Sequence, residues 1–323
     1  MNGMWKFTVR RILIMIPQVV LLSILVFIMA KMMPGDALSG LMDPNLDPAT
    51  LEELREKLGL NDPWYTQYIH WIGDLFHGDM GESFRYKMPV SELIGQRMVN
   101  TFWLSLVTLI LIYLISVPLG IISGRYNDSL LDQAITGYTY IGFATPLFIF
   151  ALVLLWIFGF QFGWFPTGGS VTPGSTPGTL DYISSKLYHL LLPAISMALI
   201  GTVGTVQYLR NEIIDTKQKD FILTARAKGA SESRVYNRHV LRNSLLPIAA
   251  FFGYEITGLI SGTVFVESIY TYPGMGQLFL ESITTRDYSV ATALTLLFGI
   301  AAILGTLISD IILSLVDPRI RIK

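Results

Sequence analysis

Cysteine is absent from the chain, which excludes disulfide bonds and thiolate metal sites. Charge is scarce as well. Only 15% of the 323 residues are Asp, Glu, Lys or Arg, and none falls between Asp132 and Asp181, a gap that a water-soluble chain would hardly tolerate. The net charge of −1 gives no broad attraction to nucleic acid. The four histidines (His70, His77, His189, His239) show no paired metal-ligand spacing and read as ordinary surface or interface residues. No lysine completes a Gly-Lys-Ser/Thr step, so the chain has no Walker A loop of its own. Neither H-E-x-x-H nor G-x-S-x-G occurs. Catalytic residues, a metal site and a cofactor bound by this chain are therefore not expected.

What is present is apolar. Hydrophobic residues make up 52% of the chain and the mean hydropathy is +0.51. A bilayer core takes about 20 apolar residues per helix, and six segments qualify: Ile12–Ala30, Phe102–Ser123, Ala134–Phe160, Leu187–Leu209, Leu245–Val266 and Val290–Val316. The expected fold class is an all-α integral membrane protein with six transmembrane helices. Lys6, Arg10 and Arg11 precede the first run as they would in a signal peptide. The run is too long for a signal core, however, and has no small-x-small cleavage site, so it reads as an uncleaved helix. With the N-terminus inside, 15 of the 23 Lys and Arg residues fall on the cytoplasmic side. The positive-inside bias thus places both termini in the cytoplasm.

The charged island Arg210–Arg242 carries eight basic residues against four acids. It is too long for a tight turn and too patterned for a tether. Asp220 can cap a short helix with apolar Phe221, Ile222 and Ala225, and Gly229 can end it in the left-handed conformation. Ser231 and Glu232 suit the first turn of another helix. A short amphipathic helix projecting from a membrane domain is a docking surface for something soluble.

The stretch Asp220-Phe-Ile-Leu-Thr-Ala-Arg-Ala-Lys-Gly229 resembles the cytoplasmic "EAA" loop of ABC-importer permeases, in the form used by the oligopeptide/dipeptide/nickel branch. Leu223 and Thr224 replace the Glu and Ala of the general consensus, Leu241-Arg242 replaces its later Leu-Pro, and Pro247 is displaced downstream. These departures are themselves similar to that branch. Pro34-Gly35-Asp36, Gly59–Phe84, Phe265–Gly276, Arg286-Asp287-Tyr288 and Asp317–Arg321 carry the resemblance nearly end to end, closest to the first (B-type) membrane subunit of oligopeptide permeases. It implies a type I ABC-importer transmembrane fold. The divisions would be 1–30 for the cytoplasmic N-terminus and first helix, 31–98 for an extracytoplasmic helical segment, 99–316 for the transmembrane domain with its coupling loop 210–243, and 317–323 for a tail.

The same resemblance implies a second homologous permease subunit, two cytoplasmic ATPases that bind the ATP and Mg, an extracytoplasmic peptide-binding protein, and residence in a bacterial or archaeal cytoplasmic membrane. The helix of Asp220, Phe221, Ile222, Ala225, Arg226, Lys228 and Gly229 would couple to the ATPases, its basic and apolar mix suiting a groove there. Cargo would be an oligopeptide or dipeptide; nickel, a nickel chelate, haem or another small solute is the alternative within the family. A self-sufficient secondary transporter or channel is the alternative outside it.

Within the external segment, Asp47-Pro48 and Asp62-Pro63 read as helix starts. Leu51, Leu54 and Leu58 lead to a stop at Gly59, while Trp64, Tyr68, Trp71 and Leu75 form one stripe. That stripe suits the lipid headgroup level or packing on the bundle; a landing surface for an external partner is the other reading. Gly120-x-x-x-Gly124 and Gly258-x-x-x-Gly262 permit close helix packing. Pro118, Pro146, Pro193 and Pro247 kink helices or mark their ends. Pro273, Gly274 and Gly276 call for a tight turn.

A carboxylate near the bilayer centre costs roughly 2.5–3.5 kcal/mol, so Glu255 must face protein or water. It either lines the translocation cavity or has a buried partner. Asp310 is expected at the interface, with Gln207, Gln18 and Asn211 as lesser pathway candidates. The orientation is testable because the chain lacks cysteine. In intact cells, Ser231→Cys should resist a membrane-impermeant thiol reagent and react only after permeabilisation; labelling from outside would reverse the topology.

Overall fold

A computed structural model of the protein describes residues 2–32, 52–53, 55–56, 59–245, 248 and 264–316. Among these residues the regular structure is helical, apart from an isolated bridge between Glu82 and Pro89. The helices are α1 (Asn2–Met32), α2 (Trp64–Phe76), α3 (Val90–Arg125), α4 (Leu130–Ala144), and α5 (Leu147–Leu154), which runs on into a π-helical turn, Leu155–Gln161. After them come α6 (Leu180–Lys217), α7 (Asp220–Ala227), and α8, which joins Glu232–Arg234, a π-helical Val235–Val240 and Leu241–Ser244. α9 (Met275–Thr285) and α10 (Tyr288–Val316) complete the described chain.

The apolar helices α1, α3, α6 and α10 are each long enough to cross a bilayer. Leu13, Leu21, Ile110 and Leu114 stand exposed along them, as lipid-facing side chains would. The expected single helix over 134–160 is corrected: α4 and α5 meet at a bend of 105°. Pro146 is the physical reason. It has no N–H to donate and disfavours helical geometry in the residue before it, and Thr145 is extended at φ −99°, ψ 115°. Pro118 and Pro193 lie inside α3 and α6 and do not mark ends. Most of the expected fifth span, with Pro247, Glu255, Gly258 and Gly262, lies outside the described residues, as do Asp47, Pro48, Leu51, Leu54 and Leu58.

The most extensive helix pair is α3 with α6. A Cβ at Gly120 would stand 2.9 Å from Leu209 Cβ, and one at Gly124 would stand 2.7 Å from Ile213 Cβ and 3.0 Å from the Arg210 carbonyl. The first small-residue pair therefore lets two backbones approach, as its spacing suggests. Above this seam, the start of α3 (Val90, Leu93, Ile94) packs with Met275, Leu278, Val290 and Leu294. The hairpin before α3 is tied down by polar contacts. Ser83 Oγ donates to buried Asp287 at 2.6 Å, Arg85 meets Glu281 at 2.5 Å, and Tyr86 donates to Glu281 at 2.7 Å. Burial, then Glu281, pushes the Tyr86 phenol up from its ordinary pKa.

The expected stripe on α2 is partly confirmed. Tyr68 and Trp71 pack on Phe27 of α1 with ring centroids 5.5 and 5.7 Å away, whereas Trp64 is exposed. Pro63, not Asp62, takes the cap position of α2. His189 is buried, against expectation, with Nδ1 2.8 Å from the Ser185 carbonyl one turn earlier. At the other end of the bundle, Asp310 of α10 pairs with Arg11 of α1 at 3.2 Å.

Overpacking a tight core costs about 1–3 kcal/mol. Gly124→Leu is expected to lower the thermal midpoint of the detergent-solubilised protein and broaden its gel-filtration peak. Gly137→Leu, in open space on α4, should leave both unchanged.

Candidate functional site

The short helix expected from the charged island exists as α7, with one correction at its start. Lys219 occupies the cap position and Asp220 is the first helical residue, where its carboxylate favours the helix dipole without a capping hydrogen bond. The other end is as expected. Gly229 has φ +77°, its N–H donates to the Arg226 carbonyl at 2.8 Å, and the Ala230 N–H reaches the Ala225 carbonyl at 3.2 Å. These two bonds make a Schellman stop. Ser231 is the cap residue of α8 and Glu232 its first helical residue. Across the turn, Arg226 grips Glu232 through Nε at 2.8 Å and Nη2 at 3.1 Å.

An eight-residue helix is unstable alone in water, so packing must hold α7. Ile222 is fully buried among Leu209, Ile213, Val235, Tyr236 and Val240, with Ala225 half-buried beside it. Burying one isoleucine stabilises by about 1.5–3 kcal/mol. The sequence pattern grouped Phe221, Ile222 and Ala225 as one apolar set, but the structure divides them. Ile222 and Ala225 anchor the helix, while Phe221 (42% exposed) and Leu223 (56% exposed) face outward with Thr224, Arg226 and Lys228. The outward surface thus has apolar knobs beside two cations.

Beneath this seat lies an ion pair that the sequence did not reveal. Arg210 of α6 donates from Nε and Nη2 to both carboxylate oxygens of Asp132 on α4, at 2.6 and 2.7 Å. Asp132 is 2% exposed, and it also accepts from Ser123 Oγ at the end of α3, from the Asp128 N–H at 2.8 Å and from Thr136 Oγ1 at 3.3 Å. Lys217 adds a second tie, with Nζ 3.1 Å from the Gly124 carbonyl and 2.5 Å from Asn127 Oδ1 at the α3 C-terminus. Tyr236 donates to the Ile121 carbonyl at 3.2 Å, and the Arg125 guanidinium lies 4.7 Å from its ring centroid. Burial pushes the Tyr236 phenol up, and Arg125 opposes that shift. Asp132 read only as the edge of an uncharged stretch, and Arg210 only as the first of many cations. The available signal was a pair of opposite charges, one at the end of each of two apolar spans.

The remaining candidates are scattered. Gln207 is half-buried on α6, one turn before Arg210, and Gln18 is exposed on α1. Asn211 is exposed and accepts from Arg210 at 3.4 Å. Glu255 lies outside the described residues. Among the described residues no cluster of three or more His, Asp or Glu is placed to hold a metal ion.

A second missed residue is Glu267, fully buried beside the expected Pro-Gly turn. It accepts from Thr101 Oγ1 at 2.7 Å and from the N–H groups of Gly276 and Gln277 at 2.7 and 3.0 Å. Gly274 has φ −110°, so close approach rather than backbone angle requires glycine there: a Cβ would stand 2.3 Å from the Glu267 carboxyl carbon.

Two family profiles match the chain. That of the binding-protein-dependent transport system inner membrane component covers residues 116–322, and that of the N-terminal part of such components covers residues 4–107. Among curated relatives, the oligopeptide transport system permease protein AppB of Bacillus subtilis is 42% identical, the alignment covering 98% of this chain and all of that one. A putative peptide permease protein of Brucella suis is 34% identical, over 99% of this chain and all of its own length. The glutathione transport system permease protein GsiC of Escherichia coli is 30% identical over the same shares. Among solved structures, an inward-facing form of the MetNI methionine ABC transporter matches in fold, with TM-score 0.56 and 13% identity. That match covers 70% of this chain and 96% of the MetNI chain.

Removing one partner of a buried ion pair costs about 3–5 kcal/mol, because the other charge is stranded. Arg210→Ala is therefore expected to lower the thermal midpoint more than the double variant Asp132→Asn with Arg210→Met. Differential scanning fluorimetry in detergent checks the order.

Proposed function

This chain belongs to the family of inner membrane components of binding-protein-dependent transport systems, and from that premise we propose that it forms half of the pathway of an ATP-driven importer for oligopeptides or dipeptides. The other half is a second, homologous permease subunit. Two ATPases sit on the cytoplasmic face and bind the nucleotide and Mg. An extracytoplasmic binding protein delivers the peptide. The chain itself is non-catalytic.

The observation that carries this reading is the form of α7: a short helix with Phe221 and Leu223 outward, anchored from behind by buried Ile222. Apolar knobs flanked by Arg226 and Lys228 fit a groove with an apolar floor and an acidic rim. Closure of the ATPases draws α7 with it. The force then passes through Ile222 and Tyr236 to α6 and α3, and through the Asp132–Arg210 pair to α4. A platform cross-tied at these points moves as one piece, so the bundle rocks between inward- and outward-facing forms. Peptide cargo is supported by the full-length similarity to permeases named for peptides and for glutathione.

The test uses the assembled transporter. Phe221→Asp places a charge on the outward face while leaving the buried anchor in place. It should abolish copurification of the ATPases and reduce ATP-dependent uptake of labelled peptides at least tenfold, with the membrane domain still folded. Unchanged copurification and uptake would overturn the role of α7. In the same assay, uptake of nickel but not of peptides of any length would overturn the cargo.

A further inference from the structure

α2 is too short to span a bilayer, yet it sits at the depth of one. Between Arg11 and Lys31, α1 carries 19 uncharged residues, which at 1.5 Å each span about 28 Å, close to the hydrocarbon thickness. Lys31 therefore marks one boundary of that core. Tyr68 OH of α2 lies 2.8 Å from Ser23 Oγ of α1, and Tyr68 and Trp71 both pack on Phe27. Ser23 and Phe27 lie two turns and one turn before Lys31, roughly 12 and 6 Å along the axis. A helix whose rings touch α1 there cannot stand clear in water.

The sequence of α2 fits that depth. At 100° per residue its apolar side chains occupy one continuous arc of about 160°, and Thr66, Gln67, His70 and Asp74 occupy the opposite side. Half of the apolar arc, Tyr68 and Trp71, is used on α1. The other half, Tyr65, Ile69 and Phe76, is 55%, 63% and 87% exposed, and among the described residues nothing covers it.

We propose that α2 is an in-plane interfacial helix, with Tyr65, Ile69 and Phe76 inserted among the lipid acyl chains at the Lys31 end of α1. This is the outer leaflet in the orientation given above. An amphipathic helix lying in the interface buries its apolar face about 5–10 Å into the headgroup–acyl boundary, which matches the depth set by the Ser23 and Phe27 contacts. The polar side of α2 then faces water across a cleft of about 620 Å³ that also receives Lys31 and Arg55. Lipid is favoured over a soluble partner because the contacts with Ser23 and Phe27 hold the stripe at the depth of the acyl chains and because it carries no charge.

The full chain in phosphatidylcholine nanodiscs, open on both faces, gives a test independent of orientation and of the transport reading. Single cysteines replacing Ile69 or Phe76, and separately His70 or Asp74, are coupled to an environment-sensitive fluorophore. Gel filtration of each variant confirms an intact fold. The dyes at 69 and 76 should emit to the blue and be quenched several-fold more strongly by shallow doxyl-labelled lipid than those at 70 and 74. Equal quenching at all four positions overturns the proposal. So does lipid-insensitive emission at 69 and 76, which would assign the stripe to a soluble partner.

Discussion

One end of the bundle depends on a buried carboxylate, Asp132, and the partly buried Arg210 guanidinium that pairs with it. Asp132 could not keep its charge there alone, since an isolated ion in a low-dielectric setting would have to neutralise or drag water in after it. Paired in a fork, with Ser123, Thr136 and the Asp128 N–H filling the remaining acceptor positions, they join three helices at one level. Between transmembrane helices apolar contact discriminates weakly, because lipid tails are as apolar as leucine. A bidentate polar tie fixes register where packing alone would allow sliding. The close glycine contacts of α3 with α6 do the same by shape.

That rigidity explains how so short a helix keeps its shape. α7 has neither the length nor a side-chain cap to persist unaided. It is held by one buried isoleucine, by a Schellman stop whose left-handed residue is Gly229, and by the Arg226–Glu232 fork to α8. Its seat is in turn pinned to α3 by Tyr236 and Lys217. Outward exposure of Phe221 and Leu223 is the consequence: the inner face is already occupied by Ile222 and Ala225.

The opposite end of the bundle repeats this arrangement with a different acid. Glu267 is satisfied by Thr101 and by the first N–H groups of α9, so a buried carboxylate sits where a helix dipole favours it. The hairpin before α3 is fastened by Arg85 and Tyr86 to Glu281 of α9 and by Ser83 to Asp287, just before α10. In both regions paired polar groups fasten the described loops, which offsets the cost of taking those groups out of water.

Composition and periodicity were enough for the membrane class, for the first, second, fourth and sixth spans, and for α7 with its glycine stop. These are properties of single segments: an apolar run must leave water, and a residue without Cβ can enter the left-handed region, whatever surrounds it. Asp132 with Arg210, Glu267 with Gly274, and the two opposed faces of α7 were not legible. Each depends on which segment lies beside which: the paired residues stand 78 positions apart in one case and close on a turn in the other. The proline in the third apolar run announced a disturbance, but only the packed helices set a bend of 105°. Local hydropathy and backbone sterics are written residue by residue along the chain; partnership between charges and the choice of outward face arise only once helices are side by side.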